Sequence, residues 1–289
     1  MIKRLKRRLS YALKVLLGNP SMTFGLVVLA IFVTCAIFSP WIAPHDPLKM
    51  DLTNSFQPPG SNGHLLGTDN YGRDIFSRLI YGSRVSLLVG LVVISISSTF
   101  GSLLGLLSGY YGGVVDMVIM RLVEVIYSFP FLILAVAVMA VLGPSIFNIM
   151  LVLSVSTWPL YARLVQPQVM SIREREFVQA ARGIGAGSLR IMVIHLLPNC
   201  FSSIIVTATM QMATAILSTA ALSFLGLGVQ PPAPEWGLML NQGKPFLRRA
   251  PFMIMYPGVA IMLLVLSLNL IGDGLRDILD PQLSRMGRI

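Results

Sequence analysis

Three groups of residues in this 289-residue chain have types and spacings that could do chemistry. Arg121 and Glu124 stand three apart inside a long apolar run, close enough to pair along one helix face. A charge in such a run is costly unless it is paired or faces a polar cavity. The pair therefore admits two roles, a link that fixes packing near the inner interface or a place on a pathway. Ser203, Thr207, Gln211, Thr214 and Ser218 recur at steps of three and four, which sets them on one narrow helix face. Such a stripe among apolar residues must either bond to a neighbouring helix or line water. Asp69, Arg73, Asp74 and Arg78 crowd two carboxylates and two guanidinia into one polar stretch. Carboxylates that share acid–base work must converge, and a spacing of five turns Asp69 and Asp74 about 140° apart on a helix.

Metal and nucleotide chemistry find less support. His45, Asp46, His64 and Asp69 could offer ligand atoms, but their spacing fits no compact ligand motif, so no metal is expected. Cys35 and Cys200 fall in or beside apolar runs and suggest neither a disulfide framework nor a metal site. No G-x-x-x-x-G-K-[ST] phosphate loop occurs. Gly183-Ile184-Gly185-Ala186-Gly187 lacks the lysine and a preceding strand. The chain is thus expected to bind no cofactor and to be no ATPase.

The elements that must hold these residues are set by composition. With 55% hydrophobic and only 12% charged residues, the chain does not read as a soluble domain. Apolar runs at 22–44, 85–110, 117–142, 146–162, 200–229 and 252–272 predict six transmembrane helices, because backbone groups in lipid must be paired within the segment. The first run follows Lys3, Arg4, Lys6, Arg7 and Arg8 but is too long for a signal core, so it reads as a retained span. A formal charge of +10 invites a nucleic-acid reading. With the N-terminus inside, however, fourteen basic residues fall on inner segments and seven on outer ones, the bias of the positive-inside rule. Both termini are expected in the cytoplasm. The predicted organisation is a basic tail at 1–21, a first span with its outer loop at 22–84, a transmembrane domain at 85–277 and a tail at 278–289.

Local signals refine this plan. In the outer loop, Thr68 or Asp69 is expected to cap a short helix with Ile75, Phe76, Leu79 and Ile80 as its apolar face and Arg73, Asp74 and Arg78 in water. Gly101, Gly105 and Gly109 let another helix approach closely. Pro130 predicts a kink in the third span. On the inner side, Ser171-x-x-Glu174 has the form of a capping box and predicts a helix from Ser171. Phe177, Ala181 and Ile184 share one face of it, with Arg175, Gln179 and Arg182 opposite. Gly183, Gly185 and Gly187 then break the helix, Ser188 caps a second short one, and Pro198 ends that before the fifth span.

This inner string, with Glu176 and Phe177 leading into Gln179-Ala180-Ala181, then Gly185, then Leu197-Pro198, resembles the EAA loop of binding-protein-dependent ABC importer permeases. Gln179 stands where that motif has glutamate and His195 where it has isoleucine. Gly67-Thr68-Asp69, Gly72-Arg73-Asp74 and Ser77-Arg78 resemble the GTD-x-x-GRD-x-x-SR signature of the C-type permeases of dipeptide, oligopeptide, glutathione and nickel importers. Ser223 to Gly228, Glu235-Trp236-Gly237 and Gly272 to Asp277 are similar to the same family. The resemblance implies a MetI-like permease core with an added N-terminal span, in a prokaryotic inner membrane. It implies short peptides as cargo, with nickel or glutathione as alternatives. It also implies a homologous permease partner, two cytoplasmic ATPase subunits carrying ATP and Mg, and an extracytoplasmic binding protein. By the same resemblance the EAA loop is the ATPase-coupling segment and the fifth span borders the translocation path. A secondary transporter is the rival from another class, which inverted repeats or broken helices at midplane would mark.

Overall fold

The computed structural model describes residues 19–279, so almost all of both predicted tails lies outside the described residues. Asn19 starts helix α1 (Pro20–Ile37) by accepting the Met22 amide at 3.2 Å, with Pro20 in the first turn. Helices α2 (Ile75–Tyr111), α3 (Gly113–Tyr127), α4 (Phe131–Leu142) and α5 (Ile146–Arg173) follow. The inner loop holds α6 (Glu176–Gly183), and α7 (Leu197–Phe224), α8 (Trp236–Gly243) and α9 (Phe252–Leu279) complete the order. Five helical segments are long and apolar enough to cross a membrane, and α3 with α4 makes a sixth if the bent pair is one span. The described residues form no strand beyond isolated bridges. The all-helical, six-span class holds.

The kink expected at Pro130 is a full break: α3 and α4 meet at 84° around Ser128–Pro130, where the proline cannot continue the helix. Several boundaries differ from expectation, each for a physical reason. Helix α2 is a single helix of 37 residues, about 55 Å long, well beyond the roughly 30 Å of a hydrocarbon core. Its cap is Asp74, neither Thr68 nor Asp69, with the carboxylate accepting the Ser77 amide at 2.7 Å. Helix α5 runs on to Arg173 and absorbs Ser171, so the capping box does not form. Val165, Val169 and Ile172 extend its buried face through that region. The segment Ser188–Phe224 is continuous, through a π turn at Ile191–Leu196. Pro198 therefore sits in the first turn of α7, and Gly187 takes the cap position expected of Ser188.

The glycine stripe sets the central seam. A side chain on Gly105 would lie 2.6 Å from the Ala162 carbonyl and one on Gly109 2.6 Å from that of Gln166, so α2 and α5 touch along their backbones. Their inner ends are stitched as well. Arg173 donates to the Gly109 and Tyr110 carbonyls at 3.1 and 2.9 Å, while Gln166 ties α5 to α3 by donating to Asp116 at 2.7 Å.

Candidate functional site

The outer loop folds into a cap whose charges are buried. Asp69, Arg73, Asp74 and Arg78 expose 5%, 1%, 2% and 1% of their surface, which overturns the expectation that Arg73, Asp74 and Arg78 stay in water. Asp69 accepts the Arg73 side chain at 2.7 Å and the Tyr71 and Arg73 amides at 2.8 and 3.0 Å. Arg73 also donates to Gln242 at 3.1 Å, and Arg78 to the carbonyls of Pro47 and Pro232 at 3.1 and 3.3 Å. Both arginines thus tie the first outer loop to the segment around α8. Glu235 caps α8, accepting the Gly237 and Leu238 amides at 2.8 and 2.7 Å. Burial pushes its carboxyl above the usual carboxylate range, against the lowering pull of those two amides. Trp236 donates to the Leu79 carbonyl at 3.0 Å, and a side chain on Gly82 would strike its ring. The GTD, GRD, SR and EWG strings are one interlocked structure. Its carboxylates are each held in place: Asp69 by a guanidinium and two amides, Asp74 by the Ser77 amide and the His64 ring, and Glu235 by two amides.

Inside the bundle the polar stripe of α7 divides between two hollows. Gln211, Thr214 and Ser218 line a cavity of about 300 Å³ together with Tyr127, Ser156 and Thr157. Ser203 and Thr207 line a second, of about 450 Å³, with Arg276 at its rim. The break between α3 and α4 opens the first of these, since Tyr127, Phe129 and Phe131 at the bend form one wall. Sequence reading passes over Tyr127, Ser156 and Thr157. The last two are visible as adjacent polar residues in an apolar span, but their facing Gln211 depends on how α5 and α7 pack. Arg121 and Glu124 do pair, at 2.8 Å, but their side chains are exposed and reach neither cavity.

The inner loop presents the opposite surface. Helix α6 starts at Glu176 and ends in Gly183, its acidic and basic ends matched to the helix dipole. Val178 and Ala181 face inward, Val178 against the core formed by Leu106, Val169, Ile191 and Leu196. Phe177 and Ile184 are 43% and 88% exposed, so Ala181 does not share their surroundings as its spacing predicted. Gln179 and Ala180 are exposed beside them, and Gly185 turns the chain at φ +83°. Leu197 and Pro198 begin the helix that carries the polar stripe.

A bent, multi-span helical bundle, with hydroxyl and amide groups set into a largely apolar internal cavity and an apolar loop beyond it, has the architecture of an integral-membrane protein. Residues 101–285 match the family described as binding-protein-dependent transport system inner membrane component, and residues 8–59 the N-terminal TM domain of oligopeptide transport permease C. The chain belongs to the first of these families. It is 44% identical to a dipeptide transport system permease of Alkalihalophilus pseudofirmus, over 94% of this chain and 89% of that one. It is 47% identical to a di/tripeptide permease of Pseudomonas aeruginosa, over 92% and 89% of the two chains. With a glutathione transport permease of Escherichia coli it shares 46%, over 91% and 86%. The fold is also that of the inward-facing MetNI methionine transporter, at a TM-score of 0.57 and 21% identity, covering 70% of this chain and 97% of that one. The chain is therefore a multi-pass inner-membrane permease component of an ABC importer, which draws its energy from ATPase subunits. The broken third span does not revive the secondary transporter, because family membership decides between the two.

Proposed function

We propose that the chain imports short peptides as one of two homologous permease subunits, with both termini in the cytoplasm and α6 seated on one of two ATPase subunits. The continuity of Ser188–Phe224 carries this reading: one helical segment runs from the inner loop to Gln211. At 1.5 Å per residue, the segment from Ser188 to Gln211 spans about 35 Å, so a push on the loop arrives at the cavity wall as a rigid movement. ATP and Mg on the ATPase subunits would supply that push, and an extracytoplasmic binding protein would deliver cargo against the outer cap. Peptide cargo is supported by the relatives named for dipeptide and di/tripeptide transport. The glutathione-transport relative supports a second cargo, itself a small peptide.

The test is uptake by the reconstituted complex. Gln211→Leu should keep the subunits together while ATP-driven dipeptide uptake falls about tenfold, an apolar side chain packing there without hydrating the cavity. Loss of assembly instead would make Gln211 a packing residue, and unchanged uptake would remove it from the path. Orientation is tested separately. A cysteine at exposed Asn62 should react with an impermeant reagent from outside and one at Ser188 should not; the reverse labelling would overturn the topology.

A further inference from the structure

We propose that the outer cap holds a divalent transition-metal ion of the zinc type between His45, His64 and Asp74. One ligand atom from each of these residues lies within 4.8 Å of the other two. His64 Nδ1 already stands 2.9 Å from Asp74 Oδ1, and the imidazoles of His45 and His64 lie 4.6 Å apart between centroids. Ligand atoms around a tetrahedral zinc ion are roughly 3.3 Å apart. Admitting one requires a few tenths of an ångström of widening at His64 and Asp74 and a rotation of exposed His45.

The site is built rather than incidental. Asp74 uses its other oxygen to accept the Ser77 amide at 2.7 Å, which leaves Oδ1 for the ion. The hydroxyl of the same serine accepts the His45 amide at 3.1 Å, so Ser77 holds two of the three ligands in register. The His45 Nε2 lies 3.4 Å from the Gly63 carbonyl, the kind of outer partner that orients a ligating imidazole. Two imidazoles and a carboxylate favour borderline ions such as Zn²⁺ over Ca²⁺ or Mg²⁺, which take oxygen donors. The three residues come from the exit of α1, the middle of the outer loop and the first cap of α2. An ion there would clip together positions 19 and 10 residues apart in the chain. Those separations are why no compact ligand motif is visible in the sequence. Asp46 and Asp69, donors of a suitable type, are not in the cluster, and Asp69 is taken by Arg73.

The experiment uses the whole complex, chelator-washed and nucleotide-free, titrated with Co²⁺ and followed by its visible ligand-field bands. The wild type should take up one equivalent with the intensity of a four-coordinate site, release it to Zn²⁺, and gain several degrees in thermal midpoint with Zn²⁺ bound. His45→Ala, on an exposed side chain outside the buried cluster, should lower Co²⁺ affinity at least tenfold without changing the metal-free midpoint. Asp74→Asn, which retains an oxygen for the Ser77 amide, should do the same if it folds. Equal Co²⁺ binding by wild type and His45→Ala, or no binding by either, would overturn the site and leave His64 and Asp74 a hydrogen-bonded pair.

Discussion

The outer cap and the inner loop are both made of glycine turns, charged residues and a short helix, yet they dispose of their side chains in opposite ways. The cap buries four charged residues and gives each a partner within the chain: Asp69 with Arg73, Asp74 with His64, and Arg78 with two backbone carbonyls. The loop leaves Phe177, Ile184 and Leu189 exposed, while only Val178 and Ala181 of α6 turn inward. A surface finished internally transmits force as a rigid body, and an unfinished apolar one gains by meeting a partner. The fixed end and the moving end of a transport subunit would differ in just this way.

The comparison breaks first if the cap does not depend on its charges. Arg73→Ala would leave Asp69 buried with its main partner gone, which costs about 3–5 kcal/mol, so the purified complex should melt far earlier or fail to accumulate. Arg73→Lys should recover little of this, because one ammonium cannot reproduce the fork that serves Asp69 and Gln242 together. A thermal midpoint within a degree of wild type for either variant would mean the cap is held by something else.

A matched pair of glycines sharpens the contrast. Gly72 and Gly185 have φ of +72° and +83°, both in the left-handed region. A side chain on Gly72 would overlap the Asp51 carbonyl, whereas one on Gly185 would meet nothing within 4 Å. Gly185→Ala should therefore cost only the backbone preference, about 1–2 kcal/mol, and Gly72→Ala clearly more. Equal losses of thermal midpoint would show that the loop is as tightly packed as the cap.

What the sequence reveals of the two regions differs for the same reason. Spans, termini of loops and the glycine seam are legible because lipid imposes long apolar runs and helix packing imposes close approach at fixed steps. The EAA-like string is legible as a motif, but its helix begins at Glu176, well after the Ser171 that the local pattern predicts. An S-x-x-E pattern cannot report that Val169 and Ile172 bury and carry α5 past it. The cap misleads most. Arg73, Asp74 and Arg78 look solvated, yet Gln242 and the Pro47 and Pro232 carbonyls arrive from distant segments to bury the two arginines, and no local pattern encodes those encounters. The cavity is half legible: α7 displays its stripe, while the wall given by Tyr127 requires the bend at Pro130.

Neighbouring residues of α6 separate packing from coupling on a smaller scale. Val178→Ala removes a fully buried side chain and should cost roughly 1–2 kcal/mol. Phe177→Ala should change stability by less than about 0.5 kcal/mol, as exposed positions do, while stimulation of the ATPase by cargo falls severalfold. Normal stimulation in Phe177→Ala would deny the loop its partner surface and erase the contrast with the cap.

The smallest expected effect belongs to Arg121 and Glu124. Their ion pair, 2.8 Å long, has side chains 76% and 52% exposed on α3, beside the equally uncovered Val118, Leu122 and Val125. Where water reaches both side chains such a pair couples weakly, so a double-mutant cycle of Arg121→Gln and Glu124→Gln on thermal stability should return about 0.5 kcal/mol or less. That value would keep the pair out of the energetics of the fold and reserve buried ionic structure for the outer cap. A coupling above about 2 kcal/mol would instead mean that lipid or a neighbouring subunit desolvates α3 in the assembled transporter. The inner half would then carry an ion pair held as firmly as that of Asp69 and Arg73, and the division between a charged rigid cap and an apolar moving end would not hold.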